Sequence, residues 1–124
     1  MKPDTKPTRS IPVFKPRKGD GGVPKAVSFG KLIVIYGDHL GKEYRLGPTR
    51  MLIGRTDQCD LVIDDSLVSR KHACIERKDG RFLLQDLKST NGTFLNGEFI
   101  DVCVLNHGDK IRIGNTVLQF LGEE

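Results

Sequence analysis

Residues 72–87 read His-Ala-Cys-Ile-Glu-Arg-Lys-Asp-Gly-Arg-Phe-Leu-Leu-Gln-Asp-Leu. Two β-favouring runs, His72 to Arg77 and Arg81 to Leu87, flank Lys78-Asp79-Gly80. An Asp-Gly pair readily takes the backbone angles of a tight turn, so the segment predicts an antiparallel hairpin. Ala73 and Ile75 share one face of the first run, the alternation of a half-buried strand.

The same texture extends both ways from the hairpin. Upstream lie Lys31 to Tyr36, Glu43 to Leu46, Met51 to Gly54 and Leu61 to Ile63. Downstream lie Thr93 to Leu95, Val102 to Leu105, Lys110 to Ile113 and Val117 to Leu121. Gly37-Asp38, Gly47-Pro48, Asn96-Gly97, Asn106 to Asp109 and Gly114-Asn115 punctuate them as turns. Ile111 and Ile113 share a face, as do Leu118 and Phe120. No segment shows a helical period. The reading is all-β: a β-sandwich of about ten to eleven short, mostly antiparallel strands, with ligand loops at one end.

Residues 1–30 differ in kind. They hold five of the six prolines, at 3, 7, 12, 16 and 24, and Gly19, Gly21 and Gly22. That composition breaks ladders and helices alike, so 1–30 reads as a disordered basic tail and 31–124 as one domain. Within the tail, Ile11-Pro12-Val13-Phe14 is an apolar patch able to dock as an added strand or groove peptide. The tail also explains the net charge. It carries seven of the 20 Lys and Arg but two of the 16 Asp and Glu. Its excess exceeds the whole chain's +4, so the rest is slightly acidic. A nucleic-acid surface on the folded body is not expected.

The 124 residues contain no apolar run long enough to span a bilayer and no signal-peptide pattern. The cytoplasm is the default, and no membrane partner is expected. Cys59, Cys74 and Cys103 are widely spaced and odd in number, which fits reduced thiols. No zinc spacing and no EF-hand loop appears, so neither metal nor cofactor is expected. Asp57, Asp60, Asp64 and Asp65 read as solvated loop edges.

Three stretches between strands carry chemistry. Gly54-Arg55 leaves one strand. Ser69-Arg70-Lys71-His72 enters the hairpin. Ser89-Thr90-Asn91-Gly92 precedes Thr93. Guanidinium forks, hydroxyls and an amide donor are what a phosphate receptor requires, and it needs no catalytic base. Ser69 with His72 three residues on could suggest a nucleophile. However, no Gly-x-Ser-x-Gly elbow is present, and a strand follows rather than a helix. No enzyme activity is expected of this chain.

These blocks, with Asn96-Gly97, resemble the signature of the forkhead-associated (FHA) domain, in order and over about residues 31 to 121. The resemblance suggests a bacterial signalling protein. It implies a β-sandwich that binds phosphothreonine peptides downstream of a Ser/Thr kinase, without catalysis. It implies phosphate contacts from Arg55, Ser69 and Thr90, with Arg70 adding positive potential and Asn91 holding the ligand main chain. Gly54, His72, Ser89, Gly92, Asn96 and Gly97 are then structural supports, with His72 tying the Ser69 loop to backbone. The partner is a Thr-phosphorylated protein or peptide, and the chain's own Thr5 or Thr8 are further candidates. Relatives of this kind are often fused to a signalling output, so a fragment of a larger protein is one expectation. The alternative is a protein-interaction sandwich that does not depend on phosphate.

Overall fold

The computed structural model describes residues 29–123. Residues 1–28 of the expected tail, with its Ile11 to Phe14 patch and Thr5 and Thr8, lie outside the described residues; Phe29 and Gly30, read as tail, instead begin β1 by pairing with Glu123 and Gly122. Eleven strands build two sheets: β1 (Phe29–Tyr36), β2 (Glu43–Leu46), β3 (Met51–Gly54), β4 (Leu61–Val62), β5 (Ala73–Lys78), β6 (Arg81–Asp86), β7 (Thr93–Leu95), β8 (Glu98–Phe99), β9 (Val102–Val104), β10 (Lys110–Ile113) and β11 (Thr116–Glu123). Among the described residues there is no helix. The first sheet runs β2-β1-β11-β10-β7-β8 and the second β4-β3-β5-β6-β9. Pairing is antiparallel except for β3 with β4, where Ile53 faces Leu61 and Gly54 faces Val62 in parallel.

The β5–β6 hairpin forms with Lys78 opposite Arg81, and both turn residues take positive φ, 54° at Asp79 and 74° at Gly80. That backbone twist matches the twist of the flanking strands. Asn96-Gly97 makes an equivalent positive-φ turn between β7 and β8. Sequence reading had not resolved β8. A two-residue strand has no alternation to detect, and both of its residues are exposed.

Alternation is visible where a strand covers one side of the core. In β10, Ile111 and Ile113 are buried while Lys110 and Arg112 are exposed. In β1, Gly30, Leu32 and Val34 point inward. Gly30 leaves space for a ring: an added Cβ would come within 2.8 Å of Phe120. Phe120 in turn meets Phe82 of the opposite sheet edge-on, with ring centroids 5.6 Å apart. This pair fixes the sheet separation at the core centre, since stacked sheets interdigitate side chains across about 10 Å.

Phe120→Ala removes one member of that pair from a fully buried position. It should lower the unfolding free energy by about 3–5 kcal/mol, because the lost apolar contact leaves a cavity behind. Urea denaturation followed by near-UV circular dichroism or tyrosine fluorescence measures it. A cost near zero would mean that the two sheets do not rest on this contact.

Candidate functional site

Three connections converge at one end of the sandwich: residues 55–60 after β3, residues 63–72 before β5, and residues 87–92 before β7. They are joined by hydrogen bonds rather than merely adjacent. The Arg55 N–H donates to the carbonyls of Ser69 (3.0 Å) and Arg70 (3.2 Å). The Thr90 N–H donates to Ser69 Oγ (3.0 Å). Asn91 Nδ2 donates to the Leu67 carbonyl (2.9 Å). Residues distant in sequence, Arg55, Ser69, Arg70, Thr90 and Asn91, thereby occupy one surface.

His72 is the tie beneath that surface. It is 0% exposed. The Ser69 N–H donates to its Nδ1 (3.0 Å). A backbone N–H can only donate, so Nδ1 carries no proton and Nε2 carries one. Nε2–H then donates to the Gly92 carbonyl (2.9 Å). The His72 main chain also bonds to Ile53 and Leu87, so a single residue ties its own loop to β3 and to the 87–92 loop. Its nitrogens face backbone and not Ser69 Oγ, which leaves that hydroxyl without a base.

Gly54 permits the closeness of these loops. A Cβ there would collide with the Arg70 carbonyl oxygen and lie 2.8 Å from Cys59 Sγ. Cys59 instead donates its thiol to that carbonyl (3.2 Å). Gly92 has φ of 92°, and a Cβ on it would meet the Phe99 ring at 2.8 Å. Asn96 and Gly97 lie apart, at the far end of β7. Asn96 there bonds Asp109 and the Lys110 N–H, so these two residues bear on the site only through the strand.

Several side-chain donors on this surface are uncommitted. Arg55 uses Nε on the Val68 carbonyl (2.8 Å), and among the described residues its terminal nitrogens have no partner. Ser69 Oγ accepts from Thr90, so its own O–H can still donate. Thr90, Arg70 and Lys71 are exposed. The surface therefore offers a guanidinium fork, hydroxyl donors and added positive potential.

Three carboxylate braces were missed in the sequence reading. Asp86, 4% exposed, accepts from the Ser89 N–H (3.1 Å), the Ser89 hydroxyl and the Thr93 hydroxyl (2.7 Å). Ser89 Oγ then accepts from the Gly92 N–H (2.9 Å), closing the turn. Asp60 and Asp65 were expected to be solvated loop edges; Asp60 is exposed and Asp65 half-exposed, and each also bonds backbone. Asp60 accepts from the Leu52 N–H (2.8 Å). Asp65 accepts from the N–H groups of Leu67 (2.9 Å) and Asn115 (2.8 Å). The Leu67 N–H first, and the Asn115 N–H second, hold the Asp65 carboxyl below the usual carboxylate range. Burial pushes the Cys74 thiol up, and all three cysteines are free and buried. Among the described residues no group of His, Cys, Asp and Glu is placed to hold a metal ion.

The FHA domain family model matches residues 51–114, which span all three loops. The chain belongs to the FHA family. The FHA fold here is also that of solved relatives. One comes from a study of phosphothreonine-dependent FHA domain interactions: 32% identity, TM-score 0.70, covering 76% of this chain and 96% of that one. Another is Mycobacterium tuberculosis EmbR in complex with a low-affinity phosphopeptide: 30% identity, TM-score 0.71, covering 86% of this chain and 27% of that one. Among curated relatives, the oxoglutarate dehydrogenase inhibitor of Corynebacterium diphtheriae is 38% identical over 92 residues, 74% of this chain. The glycogen accumulation regulator GarA of Mycolicibacterium smegmatis is 36% identical over 103 residues, 83% of this chain. In each of these two, the matched region is 64% of the relative's own length.

Asp86→Ala should lower stability by several kcal/mol, since three donors lose a buried charged acceptor, each worth about 1.5–3 kcal/mol. Hydrogen exchange at Ser89 and Gly92 should accelerate more than at the β10–β11 ladder. Equal acceleration throughout would show that Asp86 does not brace this turn specifically.

Asp65→Asn tests the pH linkage. A carboxyl held below its unfolded value adds stability at pH above about 4, which is lost as pH falls through the folded value. Wild type should exceed Asp65→Asn in stability at neutral pH and converge with it in acid. Urea midpoints from pH 7 to pH 2 give the comparison; a constant gap would refute the linkage.

Proposed function

We infer that this FHA domain binds a phosphothreonine-bearing segment of a protein partner and performs no chemistry on it. The observation that carries the reading is the convergence of Arg55, Ser69 and Thr90, welded by bonds that leave their outward donors available. A phosphothreonine adds about −1.5 to −2 charges and three acceptor oxygens. Arg55 forks onto two oxygens, the Ser69 and Thr90 hydroxyls donate to the rest, and Arg70 adds potential. Asn91 is the candidate holder of the ligand main chain, having already committed Nδ2 to Leu67.

Each charge-assisted bond contributes about 1.5–3 kcal/mol before desolvation is deducted. Two or three net contacts give discrimination on the order of 10²–10⁴ over the unmodified peptide. Burying the threonine methyl adds only about 0.8 kcal/mol by area.

The relatives support this setting. One FHA structure belongs to a study of phosphothreonine-dependent interactions, another holds a phosphopeptide, and curated relatives are named as a regulator and an inhibitor. A Ser/Thr kinase is then required upstream. Regulation by binding also agrees with a His72 that is engaged on both nitrogens and unable to serve as a base. Among the described residues no helix is long and apolar enough to cross a membrane. We place the module in the cytoplasm, where its free thiols stay reduced. Thr5 and Thr8 remain candidate self-ligands on sequence grounds, outside the described residues.

Arg55→Ala should weaken binding of a phosphothreonine peptide, selected from a library, by more than about tenfold, one charge-assisted contact. It should cost stability by no more than about 1 kcal/mol, for the lost bond to Val68. Calorimetry and thermal unfolding check both. Unchanged affinity would favour the phosphate-independent interaction sandwich instead.

A further inference from the structure

A second concavity lies beside the phosphate site and shares none of Arg55, Ser69, Thr90 or Asn91. Its volume is about 760 Å³. It is walled by the β1–β2 turn, by β2 and β4, and by the β10–β11 turn. β2 ends one sheet and β4 ends the other, so among the described residues the cleft opens between two sheet edges. Three of the six exposed large apolar side chains stand at it: Tyr36 (66%), Leu40 (69%) and Val62 (37%). Its charged lining is Asp38, Asp64 and Asp65 with His39, and no Lys or Arg lines it; Lys42 sits nearby on the Tyr44 ring, 5.2 Å from its centroid. The cleft is apolar, rimmed by acid, and adjoins an unpaired strand edge.

The chain itself contains a segment of complementary chemistry. Residues 11–18 read Ile-Pro-Val-Phe-Lys-Pro-Arg-Lys, an apolar quartet followed by three cations. Pro12 and Pro16 share parity. In an extended segment their missing N–H groups fall on the same side, leaving Ile11, Val13 and Lys15 to bond an edge strand. The same parity brings Pro12, Phe14 and Pro16 onto one side-chain face, with the aromatic ring at its centre.

We propose that residues 11–18 of this chain occupy the cleft between β2 and β4 in cis, without phosphorylation. Phe14 packs among Tyr36, Leu40 and Val62, and Lys15, Arg17 and Lys18 meet Asp38 and Asp64. The chain length allows it. Fifteen residues from Phe14 to Phe29 span up to about 50 Å, roughly twice the length of β1, which separates Phe29 from the cleft. Tethering supplies an effective concentration in the millimolar range, so a weak intrinsic contact suffices. The seated tail would cover the flank of the phosphate site next to Ser66 and Leu67. An incoming partner would displace it or share that flank.

The test uses the full chain, labelled with 15N, against Phe14→Asp. The described strands begin at Phe29, beyond the substituted position, and a melting curve of Phe14→Asp equal to that of wild type confirms the fold is kept. The amides of Tyr36, Leu40, Val62 and Asn115 should shift, equally at low and high protein concentration. The converse variant, Leu40→Asp at an exposed turn, should lower the heteronuclear NOE of residues 11–16, and added salt should do the same. Absence of shifts in Phe14→Asp overturns the proposal. Shifts that grow with concentration assign the cleft to a second copy and overturn it equally. Shifts confined to Arg55, Ser69 and Thr90 would place the segment in the phosphate site, which is also contrary to it. None of these readouts depends on phosphopeptide binding, so the two readings fail separately.

Discussion

The receptor surface depends on one imidazole. His72 is shut off from water and bonded at both ring nitrogens, to the Ser69 N–H and the Gly92 carbonyl. Either loop could shift only by leaving a buried polar group unpaired, at a cost of about 1–3 kcal/mol. That penalty keeps Ser69 and the Thr90–Asn91 pair in fixed relation although about 20 residues separate them in sequence. Gly54 and Asp86 work in the same direction from the two sides. One lets the Arg70 carbonyl approach, and the other gathers Ser89 and Thr93. The result is preorganisation: donors already aimed before any anion arrives, so little ordering entropy is lost on binding.

What the sequence made legible was mostly local. The Asp-Gly hairpin, the alternating Ile111/Ile113 pair and the turn glycines all state their roles within a few residues, because side-chain period and backbone angle are local properties. The loop blocks were legible through their residue types, and the structure brings Arg55, Ser69, Arg70, Thr90 and Asn91 to one surface. The carboxylate braces were not legible. Asp65 bonds Asn115 across 50 positions, and nothing in the composition of either neighbourhood announces such a pair. Asp86 looked like the end of a strand, and its function appears only when Ser89 and Thr93 fold back over it. Asn96 and Gly97 show the opposite limit, since sharing a signature with the site did not bring them next to it.

Rigidity and recognition divide the polar residues between them. Atoms facing inward have partners: among the described residues no buried side-chain nitrogen or oxygen lacks one. At the three loops, the Arg55 terminal nitrogens and the Ser69 hydroxyl proton stay available. The division holds within single residues. Arg55 uses Nε for the fold and presents its terminal nitrogens, and Ser69 accepts for the fold and keeps a proton to give. Substitution of Arg55 or Ser69 therefore removes a structural bond along with the outward donor, whereas Thr90 can change its hydroxyl with its backbone bond intact.

The pairing of β1 with β11 bears on how the molecule comes into being. Phe29 lies opposite Glu123 and Leu32 opposite Phe120, in the middle of the first sheet rather than at its rim. β1 therefore cannot find this central neighbour until β11 has left the ribosome. The second sheet, assembled from β3 to β9, can pair during synthesis, with half of its core surface still uncovered. Closure of β1 on β11 raises contact order and slows folding relative to local hairpin growth. During that interval the apolar faces of Ile53, Ile75 and Leu84 stand open to other chains, which makes the emergence of β11 the step at which aggregation competes with folding.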